Sequence, residues 1–303
     1  MDYYVGIDVG GTNVKYGLLD EAGNVLNKGK VKTSEKGDEI IESIQGIVKE
    51  YASDYEIKAV GVSAPGIIED DGFMTTGGAI FDFYGINLKE ILEEKVGFPV
   101  FIENDANSAA LAERWIGAGR DKLHFLCVVV GTGIGGGIII NGQLYKGANS
   151  NAGEFGFMVV EPPVENDTRL ASLSLTGSVG CGIVNKYEEQ HPKGERLNGE
   201  QIFELAKQGD ELGLSVIDTF YDRLAKGIFN LSTSFDPEVI LLGGAISTNQ
   251  EFINEVQNRV LSLQKGHRDM KNIKLPPIEA CRFLNDAGII GAVYKAVSES
   301  KCV

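Results

Sequence analysis

The 303-residue chain is poor in the features that mark several protein classes. Its four cysteines, Cys127, Cys181, Cys281 and Cys302, lie far apart, with no C-x-x-C pair or His-rich spacing among them. A structural zinc needs four nitrogen or sulfur ligands, and these cysteines offer no clustered set. They are expected to be reduced, three of them packing as small hydrophobes. No apolar run reaches the ~20 residues of a membrane span. The opening MDYYVGIDVGG lacks the basic region and cleavage site of a signal peptide. Positive charge is also scarce: 28 basic against 43 acidic residues leave a net charge of −15. That balance repels nucleic acid and anionic membranes, so neither is expected as a partner, and a soluble cytoplasmic protein is. Proline is rare at 8 residues, whereas glycine numbers 39 and clusters at strand ends.

What is present is a duplicated plan. Residues 3–31 contain three β-prone runs, separated by a glycine turn and by a loop at Asp20–Asn24, which predicts a three-strand meander. Residues 123–146 repeat it, with an apolar strand, the glycines of GTGIGGG, a second strand and a tight turn at Asn141-Gly142. AVGVSAPGII (59–68) and VILLGGAIS (239–247) are both buried strands entering a small-residue turn. Residues 98–113 and 277–296 both run strand, Asn-Asp, helix, with the pairs Asn104-Asp105 and Asn285-Asp286. Three pairs in the same order argue for a duplicated fold. Helical periodicity lies between the strands, with Ile40, Ile44, Ile47 and Val48 on one face and Leu88, Ile91, Leu92 and Val96 on another. The fold class is therefore α/β, two similar domains with a cleft between them.

The turns DVGGTN (8–13) and GTGIGGG (131–137) occupy equivalent places in the two halves. Glycine lets the backbone approach a phosphate, and successive N–H groups make an anion-binding nest. Lys15 could add a positive charge. The alternative is a hairpin turn that needs glycine for φ > 0. GTGIGGG carries more glycine than a hairpin requires, which favours phosphate binding.

DVGGTNVK, GVSAPGII, IENDANSAALAE, GTGIGGGIIINGQL and AGEFGF, in this order, resemble the ROK family of sugar kinases and repressors. The resemblance covers essentially the whole chain. It implies the duplicated actin-like, hexokinase-like (ribonuclease H-like) ATPase fold. The expected domains are 1–118 plus about 288–303, and 119–287. By resemblance, ATP and Mg2+ are the cofactors. Gly10, Gly11, Thr12 and Lys15 would form one phosphate loop and Gly131, Thr132 and Gly133 the other. Asp8 would hold hydrated magnesium, and Gly243-Gly244 would line the adenosine pocket.

Phosphoryl transfer asks mainly for positioning, charge neutralisation and a base for the attacking hydroxyl. Asp105 lies between a strand and a helix, where open α/β sheets bind ligands. From the residues alone, it reads first as a helix N-cap. The resemblance implies instead that Asp105 is the base, and that Asn104 and Glu154 bind sugar hydroxyls. Asp286, in the equivalent place, is expected to be only a cap or turn residue.

The sequence departs from the family pattern after Glu154. Most members read G-E-x-G-H followed by a cysteine-rich zinc loop and a further sugar-binding glutamate. Here the histidine position is Phe157, the loop holds one cysteine, and no glutamate stands near Leu175–Thr176. No zinc is expected. Losing polar contacts at one edge relaxes selection there, and Phe157 could stack on an aglycone or a second sugar ring. This favours a β-glucoside kinase, with N-acetylmannosamine kinase and glucokinase as alternatives. The repressor branch carries a helix-turn-helix before the DVGGT turn; that turn begins here at Asp8, so no such reading domain is expected. A non-catalytic, sugar-responsive regulator remains the alternative of another class. A homodimer is the expectation from symmetry.

Overall fold

A computed structural model describes residues 2–163, 165–192 and 196–300; Cys302 lies outside them. The strands are β1 Tyr3–Val9, β2 Asn13–Asp20, β3 Val25–Lys32, β4 Ile57–Ala64, β5 Val100–Asn104, β6 Phe125–Val130, β7 Ile134–Ile140, β8 Gln143–Leu144, β9 Val239–Gly243 and β10 Ile278–Ala280. The helices are α1 Gly37–Asp54, α2 Leu88–Val96, α3 Asp105–Ile116, α4 Leu173–Thr176, α5 Lys186–Gln190, α6 Gly199–Lys207, α7 Glu211–Phe235, α8 Gln250–Gly266 and α9 Ala287–Ser300.

The first sheet has the order β3-β2-β1-β4-β5 and the second β10-β9-β6-β7-β8. With β6 matched to β1 and the rest in sequence, the second is the first in reverse listing. In both, the two final strands add in parallel, β4 on β1 and β5 on β4, then β9 on β6 and β10 on β9. The duplication expected from the sequence is thus present at the level of strand order. Asn141 (φ 53°) and Gly142 (φ 73°) are both left-handed, as the turn joining β7 to β8 requires.

Local patterns explain the elements. In α1 the buried residues include Ile40, Ile44, Ile47 and Val48, as the helical period predicts; in α2 they are Leu88 and Leu92, with Ile91 and Val96 partly buried. The edge strand β3 is almost wholly exposed and carries Lys28, Lys30 and Lys32, charges that discourage strand-to-strand association. Cys127 of β6 and Cys281, just after β10, are buried with their Sγ atoms 3.6 Å apart.

The chain forms two compact units, the first of residues 1–121, 137–152 and 285–303, the second of 122–136 and 153–284. Residues 137–152 therefore group with the first unit, not with the second as the expected boundaries had it. Their contacts give the reason. Gly137 lies where a Cβ would stand 2.6 Å from that of Ala110 in α3. Arg114 of α3 donates through Nε to the Gly142 carbonyl at 3.0 Å, and Lys146 approaches Glu103 of β5. Asp286 sits in a short turn before α9 and accepts from Lys28 at 2.7 Å, a structural role like the one expected for it.

Candidate active site

In the first unit, the turn between β1 and β2 holds Gly10, Gly11 and Thr12, the last two exposed. Thr33, at the end of β3, ties it down: its Oγ1 donates to the Gly10 carbonyl at 2.6 Å, and its N–H to the Thr12 carbonyl at 3.0 Å. Neither glycine has a left-handed φ. A Cβ on Gly11 would meet only the Ala79 methyl, at 3.8 Å. Neither backbone conformation nor packing demands glycine at position 11. Asp8 lies beneath the turn, one oxygen accepting from Ser63 Oγ at 2.9 Å and the other facing Lys15 Nζ at 3.4 Å. Lys15 also donates to the Asn285 carbonyl at 3.2 Å.

The junction of β5 and α3 divides two roles that the sequence left together. Asn104, not Asp105, is the N-cap of α3; its Oδ1 accepts from the N–H groups of Ala106 (2.9 Å) and Asn107 (3.1 Å). Its Nδ2 donates to the Gly66 carbonyl at 2.8 Å. Two accepted bonds fill the Oδ1 lone pairs, so one amide hydrogen is left for a further acceptor. Asp105 is the first helical residue and is exposed, its Oδ1 also accepting from Ala106 N–H at 2.8 Å.

The second turn, Gly131–Gly133, sits entirely in the second unit. Ser178 Oγ donates to the Thr132 carbonyl at 2.9 Å and Gly180 N–H to the Gly131 carbonyl at 3.1 Å. Ser174 Oγ accepts from Ile134 N–H at 2.9 Å. A Cβ on Gly131 would meet nothing within 4 Å, and its φ is not left-handed. Two further glycines of GTGIGGG have other work: Gly136 leaves room for the Phe155 ring and Gly137 for Ala110, so glycine at these two positions serves packing.

Beside this turn lies a cavity of about 610 Å³ lined by Thr132, Val179, Asn198, Phe203, Ile246 and Asn249 among others. Its walls combine apolar side chains and two amides with the charged Glu200, Glu204 and Lys207. Gly243 and Gly244 do not line it; the residues just after them do, from Ala245 to Asn249. Gly244 has φ 91° and a Cβ there would strike the Val130 carbonyl, so it makes the bend that delivers this wall.

Glu154 and Phe157 flank one short turn, Phe155–Phe157, of the second unit. Phe155 is buried and meets the edge of Phe235 at 6.4 Å, which anchors the turn. Phe157 is 72% exposed. The Glu154 carboxylate is half-buried, has no hydrogen-bond or ionic partner among the described residues, and has its pKa raised by burial. A desolvated acceptor of this kind has a hydrogen-bonding capacity that only a ligand or water can fill.

Among the described residues, no three His, Cys, Asp or Glu side chains gather as a metal cage. Asp8 alone fits hydrated Mg2+, which keeps most of its waters and takes one or two carboxylates together with substrate phosphates. Thr33, Ser63, Ser174, Ser178 and Gly180 escaped the sequence reading because each reaches its turn from elsewhere in the chain. No helix among the described residues is long and apolar enough to cross a membrane.

The chain matches the ROK family over residues 4–299. It is 37% identical over 295 residues to a β-glucoside kinase of Listeria monocytogenes, covering 96% of each chain. A ROK family protein of Streptococcus pneumoniae, solved in complex with sucrose, superposes with a TM-score of 0.87 at 31% identity, covering 99% of this chain and 100% of that one. A ROK family glucokinase of Streptomyces griseus, solved with glucose and AMPPNP, superposes with a TM-score of 0.81 at 27% identity, covering 96% and 97%. Its fold, its two glycine turns and these relatives together show that the chain belongs to the ROK family and is one of its ATP-dependent sugar kinases.

Proposed function

We propose that this kinase phosphorylates the 6-hydroxyl of the glucose unit in a β-glucoside. The observation that carries the substrate reading is the Glu154–Phe157 turn, in which a half-buried carboxylate without a partner stands beside a ring that is 72% exposed. The carboxylate suits sugar hydroxyls, and the ring suits the apolar face of an aglycone or second sugar. The similarity to a β-glucoside kinase and to a protein solved with a disaccharide supports the same reading.

Asp105 accepts the proton of the 6-hydroxyl as its oxygen attacks the γ-phosphorus of ATP. The new O–P bond forms, the bond from that phosphorus to the β,γ-bridging oxygen breaks, and ADP leaves with those electrons. Asn104 fixes the start of α3 and offers its remaining amide hydrogen to the sugar. The open glycines 11 and 131 let backbone N–H groups approach phosphate oxygens, with Gly10, Thr12, Lys15, Thr132 and Gly133 completing the two loops. The adenosine would occupy the cavity bounded by residues 245–249. Asp8 would hold magnesium through water; the metal, bound with ATP, supplies charge neutralisation to the phosphates.

The deciding experiment is ADP release measured over glucose, N-acetylmannosamine and cellobiose. A β-linked glucoside should be used at least as efficiently as glucose. Good turnover of either monosaccharide with no β-glucoside accepted would reject this substrate class while leaving the kinase intact.

A further inference from the structure

Directly behind the Asn104–Asp105 junction lies a buried ionic cluster with no part in the steps above. Glu103 is completely buried. Its Oε2 accepts from Lys295 Nζ at 2.8 Å and lies 3.8 Å from Lys146 Nζ. Its Oε1 accepts from the Asn104 N–H at 2.9 Å and from Asn107 Nδ2 at 3.1 Å. Lys146 continues to Asp70 Oδ1 at 2.8 Å, in the loop that also supplies the Gly66 carbonyl to Asn104. The side chains of Lys295 and Lys146 are only 11% and 14% exposed.

Stability alone does not call for such a cluster, because well-packed apolar side chains of similar volume hold a core as well as a buried ion pair or better. What the cluster adds is direction. Both lysines converge on one carboxylate oxygen, and the other oxygen bonds Asn104, just before Asp105, and Asn107, two residues after it. Lys295 lies on α9, whose Gly291 meets the Ser108 backbone so closely that no side chain would fit. The helix that anchors Glu103 therefore also abuts the first turns of α3. Among the described residues Asn107 Oδ1 has no partner, and that side-chain amide bonds Glu103 alone.

We propose that Glu103 is a positioning residue for phosphoryl transfer: held by Lys295 and Lys146, it sets the course of the chain from β5 into α3 and so the placement of Asp105. The proposal rests on Asp105 being the base. It separates from a merely structural role because stability and turnover should respond differently to the same changes.

The test compares Glu103→Gln, Lys295→Met and the double variant, with Asp105→Asn in parallel, using thermal unfolding and the kcat and KM of the folded enzyme. Each single change leaves a buried charge short of its partner and should lower Tm. The double variant removes both charges and should recover much of that loss. Turnover should not recover: kcat should stay roughly tenfold or more below wild type in Glu103→Gln and in the double variant, since small misplacements of a reacting group have large effects. KM for ATP should move by no more than about threefold, because the groups that bind it are untouched. Lys295→Arg, which keeps the charge pair, should retain most of kcat. A folded double variant with kcat within about twofold of wild type would overturn the proposal. Near-normal turnover in Asp105→Asn would instead overturn the role of the base.

Discussion

Replacing Glu154 by glutamine should weaken sugar binding and, at neutral pH, leave the protein as stable as before or more so. The two effects share one cause. Burial raises the Glu154 pKa, and no described residue offers the carboxylate a hydrogen bond to offset it. A carboxyl group whose pKa is higher in the folded state binds its proton more tightly there than in the unfolded chain. Its contribution to stability is therefore complete below the unfolded pKa and is lost as pH rises through the folded pKa. At pH 7 the ionised side chain opposes folding, and an uncharged glutamine does not. The Tm difference between variant and wild type should be near zero below the unfolded pKa, should grow in favour of the variant as pH rises through the folded pKa, and should then level off. Binding runs the other way. A hydrogen bond from a sugar hydroxyl to a carboxylate is worth roughly 1.5–3 kcal/mol, so its loss should raise sugar KM on the order of tenfold to a hundredfold. ATP KM should not change. Differential scanning fluorimetry across this pH range, with steady-state kinetics on cellobiose and glucose, measures both effects. A variant that loses Tm at pH 7 while keeping its sugar KM would show that Glu154 is a structural group, and the sugar site would have to be sought elsewhere.

Four further outcomes are expected. Asp105→Asn should lower kcat by roughly a hundredfold or more while sugar and ATP affinities stay within several-fold, as followed by turnover and equilibrium binding; Asn104→Ala should lower Tm as well, because Asn104 is the helix cap. Gly11→Ala and Gly131→Ala should raise ATP KM without destabilising the fold, since neither site needs a positive φ and both have space for a methyl group; a fall in Tm with unchanged ATP KM would count against phosphate contact. Phe157→Ala should lower kcat/KM for cellobiose relative to glucose by about tenfold, the effect of losing ~1–2 kcal/mol of apolar contact, and equal losses on both sugars would refute a role at the aglycone. Activity should require added magnesium and survive a zinc-selective chelator, and stoichiometric zinc found by elemental analysis of the purified protein would contradict the second half.

Much of this protein was legible in its sequence because the signals concerned are local. Strand runs, helical periods and the Asn-Gly turn lie within a few residues of one another, and their repetition along the chain disclosed two sheets of one strand order. The glycine turns and the Asn104-Asp105 junction also stood out as short motifs, whereas the roles expected of Asp105 and Glu154 came from the family resemblance alone. What only the tertiary structure decided involves residues far apart in sequence. Glu103 and Lys295 are separated by 192 positions, and no periodicity links them. Sequence could not divide the capping of α3 from the exposure of its first carboxylate, because Asn and Asp both cap well; the Gly66 carbonyl, 38 positions before Asn104, fixes that amide as the cap and leaves Asp105 outward. Nor could it separate the glycines of GTGIGGG, since glycine looks the same whether it admits a phosphate or a neighbouring ring. The folded chain distinguishes them by what stands opposite each one: open space at Gly131, Phe155 at Gly136 and Ala110 at Gly137.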